Sequence, residues 1–201
     1  MSYEAGYRKE IRSGFVGVNL FYNRATDLIN FVTTEVYAPP FPPGIPKTLT
    51  ATNSNDAHAV GVEIESEVPL GKRVRGLFNY SYQDVQDNQG ERIDLSPQHK
   101  INVGIKAQIS SRMEGFLGAH LVGGSVLHKA ADLVTLPTYT RFDARLGYRI
   151  GSIKNPWTLS LSATNLFDDK HIEFPAAATG GSPASGVPQR RTIYFGLSGK
   201  L

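Results

Sequence analysis

Residues 157–171 read WTLSLSATNLFDDKH and carry the clearest structural pattern in the chain. Trp157, Leu159, Leu161 and Ala163 alternate with serine and threonine residues, which puts apolar side chains on one side and hydroxyl side chains on the other. This period of two is typical of a β-strand with one apolar and one polar face. The strand pattern stops at the Asn-Leu-Phe-Asp-Asp segment, whose asparagine and aspartates favour turns.

The same alternation recurs along most of the chain in segments of roughly ten residues, as in a transmembrane β-barrel. We expect an all-β, antiparallel, up-and-down transmembrane barrel segment of about nine strands, which are longer than the strands of an ordinary soluble sandwich. The predicted strands are residues 2–9, 13–33, 53–68, 73–85, 100–109, 113–127, 139–150, 157–164 and 190–201.

Composition narrows the class of protein. The chain has 201 residues, 40% of them hydrophobic, yet no apolar run reaches the roughly 18 residues of a membrane-spanning helix. It has no cysteine, which excludes disulfides and thiolate metal sites. The net charge of +3 is spread along the chain, so we predict no nucleic-acid partner, and no motif indicates a cofactor. The first residues lack a signal-peptide pattern, which led us to expect the tail of a longer protein or a removed leader.

The predicted connections fall into two alternating classes. Short ones lie near residues 10–12, 69–72, 110–112 and 151–156, and long ones near residues 38–52, 86–96, 128–137 and 175–188. In an up-and-down sheet the two classes lie on opposite rims, as in outer-membrane barrels with short periplasmic turns and long outer loops. By position, the loops at 38–52 and 175–188 are the candidates for substrate contact.

The apolar sides of the predicted strands carry aromatic and leucine residues that we expect to face lipid or to form an interfacial girdle near strand ends. Aromatic residues are also common in strands of any kind, and that interpretation stays open. The predicted lipid-facing set is Phe78, Tyr80, Tyr82, Phe142, Trp157, Leu159 and Leu161. Phe167 joins the aromatics near strand ends.

The opposite sides carry charge. Glu63, Glu65 and Glu67 lie across a predicted tight turn from Arg73 and Arg75, so a hairpin register would bring opposite charges together. We predict a structural charge ladder that faces the barrel lumen. The second group in this predicted ladder is Arg141, Asp143, Arg145 and Arg149.

Six short segments, in order along the chain, resemble the C-terminal β-barrel portion of TonB-dependent outer-membrane receptors. They are residues 3–8 (YEAGYR), 21–29 (FYNRATDLI), 61–65 (GVEIE), 143–149 (DARLGYR), 165–170 (NLFDDK) and 190–197 (RRTIYFGL). The most specific piece is the family signature Asn165, Leu166, Phe167 and Asp168, which a final strand follows. Its physical role would be to shape the end of the strand.

The resemblance implies location in the cell outer membrane and uptake of a scarce, bulky nutrient of the ferric siderophore, haem or cobalamin class. It implies that residues 1–201 are the C-terminal part of a barrel of about 22 strands, without the plug domain and the N-terminal strands. The implied partners are outer-membrane lipid, the missing plug and strands, the inner-membrane TonB complex acting through the absent N-terminal region, and the barrel assembly machinery. That machinery usually reads an aromatic C-terminal residue, where this chain has Leu201.

Two other interpretations remain open at this point. A complete small outer-membrane barrel, acting as a channel or adhesin, would pair its first and last strands. A soluble β-sandwich binding module would bury Ile101, Val103, Ile105, Leu159 and Leu161 in an interior.

Enzymatic and metal sites find little support in the sequence. The histidines, His58, His99, His120, His128 and His171, lack ligand spacing, although His128 at the start of a long loop could contact haem or a ferric chelate. We expect Asp84, Asp87 and His99 near one rim, a combination that could serve a barrel hydrolase, but the chain has no nucleophile elbow. We therefore expect no enzymatic activity.

Overall fold

The computed structural model describes residues 1–41, 45–129, 132–151, 156–173, 186 and 188–199. The regular structure in these residues is all β. The strands are β1 (Ser2–Ile11), β2 (Gly14–Val36), β3 (Pro46–Pro69), β4 (Val74–Asp87), β5 (His99–Gln108), β6 (Met113–Val122), β7 (Ser125–Lys129), β8 (Asp132–Leu136), β9 (Tyr139–Gly151), β10 (Pro156–Thr164) and β11 (Thr192–Gly199). The described residues contain no helix of the length and apolarity that crossing a membrane requires.

Nine of these strands form one sheet, in the order β1-β2-β3-β4-β5-β6-β9-β10-β11, and β7 pairs with β8 in a separate hairpin. Every pairing in the large sheet is antiparallel and joins strands that are neighbours in the order. The predicted all-β, up-and-down architecture with nine wall strands is therefore confirmed. Six predicted strands agree with the observed ones to within two residues at their described ends, namely the first, fourth, fifth, seventh, eighth and last.

The connections separate the sheet into two rims. Residues 12–13, 70–73 and 109–112 join strands at one end of the sheet, which we call the short rim. Residues 37–45, 88–98, 123–138 and 165–191 join strands at the other end, the long rim. The predicted turn at residues 151–156 falls on the short rim, but residues 152–155 lie outside the described part of the chain.

The second and third strands are longer than predicted. Their pairing continues from Ala25 opposite Ala57 to Val36 opposite Pro46, with register shifts after Ala25 and Thr33. Neither β1 nor β4 pairs with residues 25–56, so beyond the Ala57–Asp87 pair these residues form a two-stranded arm outside the sheet. The predicted loop at 38–52 was wrong in extent, because residues 46–52 pair with β2 as a strand in which Leu49 and Ala51 alternate with threonines.

The predicted sixth strand at 113–127 was also too long. The sheet strand β6 ends at Val122, and residues 125–136 fold into the β7–β8 hairpin instead. Gly123 and Gly124 lie between the end of β6 and the start of β7, where the chain leaves the large sheet. A Cβ at Gly124 would lie 2.7 Å from the backbone oxygen of Leu136, so the close approach of the two chain segments at the base of the hairpin requires glycine there.

The large sheet is a single layer. Val103, Ile105, Leu159 and Leu161 are between 43% and 48% exposed, and Ile101 is only partly buried. A soluble sandwich would cover these side chains with a second sheet. Since nothing in the described residues covers them, the sandwich interpretation was wrong. An apolar sheet face of this extent is the kind of surface that contacts a membrane or another protein.

The two edge strands do not pair with each other. The described strand order begins at β1 and ends at β11, and the sheet is open between them. The interpretation as a complete small barrel required this pair, so the described residues contradict it.

Candidate functional site

Strand register gives the sheet two chemically different faces. One row of cross-strand neighbours reads Tyr7, Val18, Ile64, Tyr80, Ile101 and Leu121. The adjacent row, on the other face, reads Arg8, Gly17, Glu65, Asn79, Asn102, His120 and Arg141. We call these the apolar face and the polar face. Because pairing keeps the same phase from β1 to β11, local alternation in nine strands becomes one continuous surface of each kind.

All seven side chains of the predicted lipid-facing set lie on the apolar face, since each pairs with residues of that face. Their expected place near strand ends is only partly correct. Trp157 is the second residue of β10, whereas Tyr80 and Tyr82 lie in the middle of β4. The Tyr80 hydroxyl oxygen lies 2.9 Å from Nδ1 of His99, which gives this tyrosine a polar partner within the face.

The predicted charge ladder forms with different partners. Glu67 and Arg75 make an ion pair between β3 and β4. Glu65 instead lies 3.6 Å from Arg8 of β1, because the residue between them on β2 is Gly17, whose missing side chain lets the contact cross that strand. Within the described residues no ion pair joins Glu63 to an arginine, and Arg73 lies in the turn before β4. Of the opposite charges that we expected near one another, the described residues therefore show only Glu67 and Arg75 as an ion pair across the hairpin.

Asp143 is the junction of a polar network near the long rim. Its Oδ2 accepts a hydrogen bond from Arg141 Nη2 at 3.2 Å and lies 3.2 Å from His120 Nε2. On the other side of its ring, His120 Nδ1 lies 2.7 Å from the Asn102 side-chain oxygen, and Asn102 donates to Asn79 at 3.0 Å. These contacts connect four strands across the polar face.

The other two charged residues of the second group do not join this network. Arg149 donates to the Gln108 side chain at 3.4 Å on the short-rim side. Arg145 is exposed, and no described residue pairs with it. The sequence placed Arg141, Asp143, Arg145 and Arg149 together by alternation, but the structure joins only the first two.

The signature segment begins with a buried asparagine. Asn165 is 2% exposed and has a positive φ of 51°, a conformation that asparagine tolerates better than most residues. Its side chain donates to the backbone oxygens of Asp169 and Gln189 and accepts from the Asp169 N–H. Its own backbone N–H donates to Asp143 Oδ1 at 3.0 Å. Asn165 thus closes the described base of the β10–β11 connection and ties it to β9.

The rest of the signature completes this closure. The Leu166 N–H donates to the Phe142 carbonyl at 2.7 Å, and the Phe167 ring meets that of Phe142 edge-on at 5.1 Å. Asp168 accepts a hydrogen bond from the Arg191 N–H at 2.8 Å. This backbone donor is the main reason that the pKa of the exposed Asp168 carboxyl falls below its usual 3.8, with the charges of Arg190 and Arg191 adding to it.

His171 is the second buried polar residue, at 7% exposure. Its ring stacks on Tyr139 with 3.9 Å between ring centroids, and its Nε2 lies 3.2 Å from Glu173. Glu173 also accepts from the Tyr139 hydroxyl at 3.2 Å and lies 3.7 Å from Arg141. We did not single out Tyr139 or Glu173 from the sequence. The sequence offered only two weak signals for them: Glu173 follows the signature segment closely, and Tyr139 is the first residue of β9.

A cleft of about 370 Å³ opens beside this network at the long rim. Its wall includes Lys100, His120, Tyr139, Arg141 and Glu173. Arg141 Nε is buried and has no hydrogen-bond partner among the described residues, although Asp143 Oδ1 lies 3.2 Å away. The cleft therefore offers cationic, hydroxyl and carboxylate groups to a polar ligand with several oxygen atoms.

The other candidate residues from the sequence analysis do not come together in one site. His58 stacks against Tyr22 and His99 against Tyr80, both on the apolar face. The side chain of His128 lies outside the described residues, as does the loop at 175–188 except residues 186 and 188. Asp84 accepts from Gln86 and Gln98, and Asp87 accepts backbone N–H groups of its own turn. Asp84, Asp87 and His99 thus form no shared site among the described contacts.

The comparisons with known proteins agree with the topology. The family model described as "TonB dependent receptor-like, beta-barrel" matches residues 1–166. The chain belongs to this family. A relative, the ferrioxamine B receptor of Salmonella typhimurium, is 29% identical over 123 residues, which cover 56% of this chain and 17% of that receptor.

Solved structures show the same fold. A mutant ferric enterobactin receptor from Pseudomonas aeruginosa matches with a TM-score of 0.74 and 18% identity, over 98% of this chain and 30% of that one. The ferric yersiniabactin uptake receptor from Yersinia pestis matches with a TM-score of 0.69 and 22% identity, over 96% and 28%. The chain thus spans less than a third of these proteins' length.

Proposed function

We propose that this chain forms part of the barrel wall of an outer-membrane, TonB-dependent receptor for a ferric siderophore, and that the long-rim cleft contributes contacts to that siderophore. The observation that carries the proposal is the nine-strand sheet with one continuous apolar face, one polar face and all described long connections on one rim. In this family member, lipid would lie against the apolar face and the barrel lumen against the polar face.

Strand direction supports a larger barrel. Position one in the sheet is β1 and position nine is β11, so both run toward the short rim. Two copies joined with β11 of one beside β1 of the next would therefore meet as parallel strands, unlike every pair in this sheet. Bacterial outer-membrane barrels have an even number of antiparallel strands, so an odd number of further strands would close the wall. We propose that these strands, together with a plug, lie outside this sequence.

The chemistry of the cleft supports a polar, oxygen-rich cargo. Guanidinium, hydroxyl, imidazole and ammonium groups suit the oxygen donors and acceptors of an iron chelate, and the carboxylates of Asp143 and Glu173 keep the cleft from being strongly cationic. The relative's name points to a hydroxamate such as ferrioxamine B, whereas haem and cobalamin are the other classes that we predicted from sequence. Transport would be gated passage driven by the TonB complex, with no bond made or broken by this chain.

Uptake of radioactive iron tests the proposal. Iron-starved cells of the source bacterium that lack the gene, and the same cells with the gene restored, are supplied in turn with ferrioxamine B, ferric enterobactin, haem and cobalamin. We expect the restored gene to raise uptake of one ferric siderophore. Uptake of haem or cobalamin alone, or no change with any compound, would contradict the proposal.

Two variants test the cleft. Tyr139→Phe removes the hydroxyl and keeps the stacked ring, and Arg141→Lys keeps the charge but loses the planar fork. We expect each to weaken siderophore binding by roughly tenfold, the effect of losing about 1.4 kcal/mol. Lys170→Ala, an exposed change outside the cleft, serves as the control and should leave binding unchanged. Equal binding by all three variants would remove the cleft from the proposal.

A further inference from the structure

His171 is a buried histidine with an oxygen atom beside each of its ring nitrogens. Its side chain is 5% exposed. Nδ1 lies 3.2 Å from the Asp169 backbone oxygen and 3.6 Å from Asp169 Oδ2, and Nε2 lies 3.2 Å from Glu173 Oε1. A neutral imidazole has one N–H donor, whereas an imidazolium has two. Only the protonated ring can therefore donate to both neighbours at once.

Charged and titratable groups of two elements surround this ring. Within the described residues they are Asp169 and Glu173 on its own connection and Tyr139 and Arg141 on β9. The Arg141 guanidinium contacts the Glu173 carboxylate at 3.7 Å. The Tyr139 ring lies nearly parallel to the histidine ring, with 3.9 Å between centroids, and the face of an aromatic ring attracts a cation. Both carboxylates and the aromatic face therefore interact favourably with an imidazolium.

His171 connects the closure of the β10–β11 connection with the wall of the long-rim cleft. Its backbone oxygen accepts a hydrogen bond from the Gln189 N–H at 2.9 Å, which joins the two described ends of that connection. Its ring contacts Glu173, which also accepts from the Tyr139 hydroxyl and lines the cleft. A change in the hydrogen bonds of this ring thus acts on both structures.

Loss of one ring proton removes one of the two contacts. If Nε2 loses its hydrogen, the bare nitrogen faces the Glu173 carboxylate, and if Nδ1 loses it, the bare nitrogen faces the Asp169 carbonyl. In either case two acceptors face each other at a buried position, where an unmade hydrogen bond is costly. Histidine changes its charge between about pH 5 and 8, so this change falls in the physiological range.

We propose that His171 is a proton-operated latch of the long-rim cleft. Its imidazolium form holds the β10–β11 connection closed and keeps Glu173 in the cleft wall, and loss of one ring proton as the pH rises loosens both. The direction follows from the donor count, since the protonated ring satisfies two acceptors and the neutral ring only one. The effect of the latch on siderophore uptake rests on the proposed function, whereas the latch itself is measured without a siderophore.

Hydrogen exchange at the Gln189 amide, measured on the whole protein in lipid vesicles and corrected for the intrinsic effect of pH on exchange, tests the closure. We expect its protection to fall about tenfold between about pH 5 and 8, because a charge-assisted hydrogen bond is lost. His171→Gln has no titrating ring and should give the same protection at both values. His58→Gln, which changes a histidine stacked on Tyr22 on the apolar face, is the matched control and should keep the full change.

Nitrogen-15 NMR of ring-labelled histidine observes the proton itself. The signals that disappear in His171→Gln belong to His171. At about pH 5 both of its ring nitrogens should show the chemical shift of an N–H group, and at about pH 8 one of them should show that of a bare nitrogen. A His171 ring that keeps one protonation state across this range would overturn the proposal.

Glu173→Gln tests the partner of the ring and does not alter the histidine. This variant keeps the shape of the side chain and removes its charge, so the midpoint of the Gln189 protection change should move to lower pH by about one unit. Glu67→Gln makes the same change on the short-rim side and should leave the midpoint in place. An unmoved midpoint in Glu173→Gln, or a pH dependence that survives in His171→Gln, would contradict the latch. Since no siderophore enters these measurements, failure of the latch is distinguishable from failure of the proposed function.

Discussion

The two rims of this sheet are built in different ways. At the short rim, connections of two to four residues join the described strands, and no described residue forms an ion pair with Lys106 or Arg145 on that side of the polar face. At the long rim, the two buried polar residues, Asn165 and His171, hold the described ends of a long connection against β9. At the short rim, strand pairing and tight turns join the strands, and side-chain contacts such as the hydrogen bond from Arg75 to the Ser13 carbonyl add to them. At the long rim, the buried Asn165 side chain itself closes a long connection by bonding to both of its described ends.

Loss of the Asn165 side chain should have the largest effect on this contrast. Asn165→Ala removes three side-chain hydrogen bonds and puts alanine at a positive φ, so we expect the base of the long connection to lose about 2–4 kcal/mol. Hydrogen exchange at the Asp169 and Gln189 amides measures the change. Asn165→Gly, which tolerates the positive φ, should relieve the backbone strain of the alanine variant but should not restore the three hydrogen bonds. Unchanged protection in the alanine variant would show that the turn holds without its asparagine.

Removal of the junction charge should have the next largest effect. Asp143→Ala leaves Arg141, His120 and the Asn165 N–H without their shared acceptor, and we expect a loss of about 1.5–3 kcal/mol at the long rim. Hydrogen exchange at the Asn165 amide reports it. Asp143→Asn keeps an oxygen for this N–H and should preserve more protection than alanine. If the two variants behave alike, the carboxylate does not connect the turn to the network.

The ion pair on the short-rim side should matter less. Glu67 and Arg75 are each about one-third exposed, so their coupling should not exceed about 1 kcal/mol. A double-mutant cycle with Glu67→Ala and Arg75→Ala, followed by urea unfolding in lipid vesicles, measures it. A coupling as large as the effect of Asn165→Ala would erase the distinction between the rims.

The smallest effect should be a pH dependence at Asp168. Its pKa is lowered on folding. Its contribution to the stability of the folded state is therefore complete above the usual pKa of 3.8 and is lost as the pH falls through the lowered pKa. The shift of the Arg191 amide resonance with pH should follow this titration. In Asp168→Asn the acidic titration of that resonance should vanish. A titration near neutral pH would contradict the assignment.

Much of the fold could be predicted because strand faces depend on a local period of two. The alternation of Trp157, Leu159 and Leu161 was sufficient to place them on one face, and the register of nine strands preserved that face. The strand at residues 46–52 was missed although Leu49 and Ala51 alternate with threonines there, because we assigned the whole segment to a loop, and its pairing with β2 is seen only in the structure. Alternation also did not predict the partner of Glu65, since it gives the face of a charge but not that Arg8 of β1 reaches it across Gly17 of β2.

By itself, the sequence determined the all-β class, the two faces of the sheet, the two classes of connection and the family resemblance. These follow from side-chain alternation, from turn residues and from short ordered motifs. Only the tertiary structure decided that Asn165 and His171 are buried, that Asp143 joins three partners, and that Glu65 pairs with Arg8 across Gly17. The physical reason is that each of these depends on contacts between strands and connections distant in the chain, which no local pattern encodes.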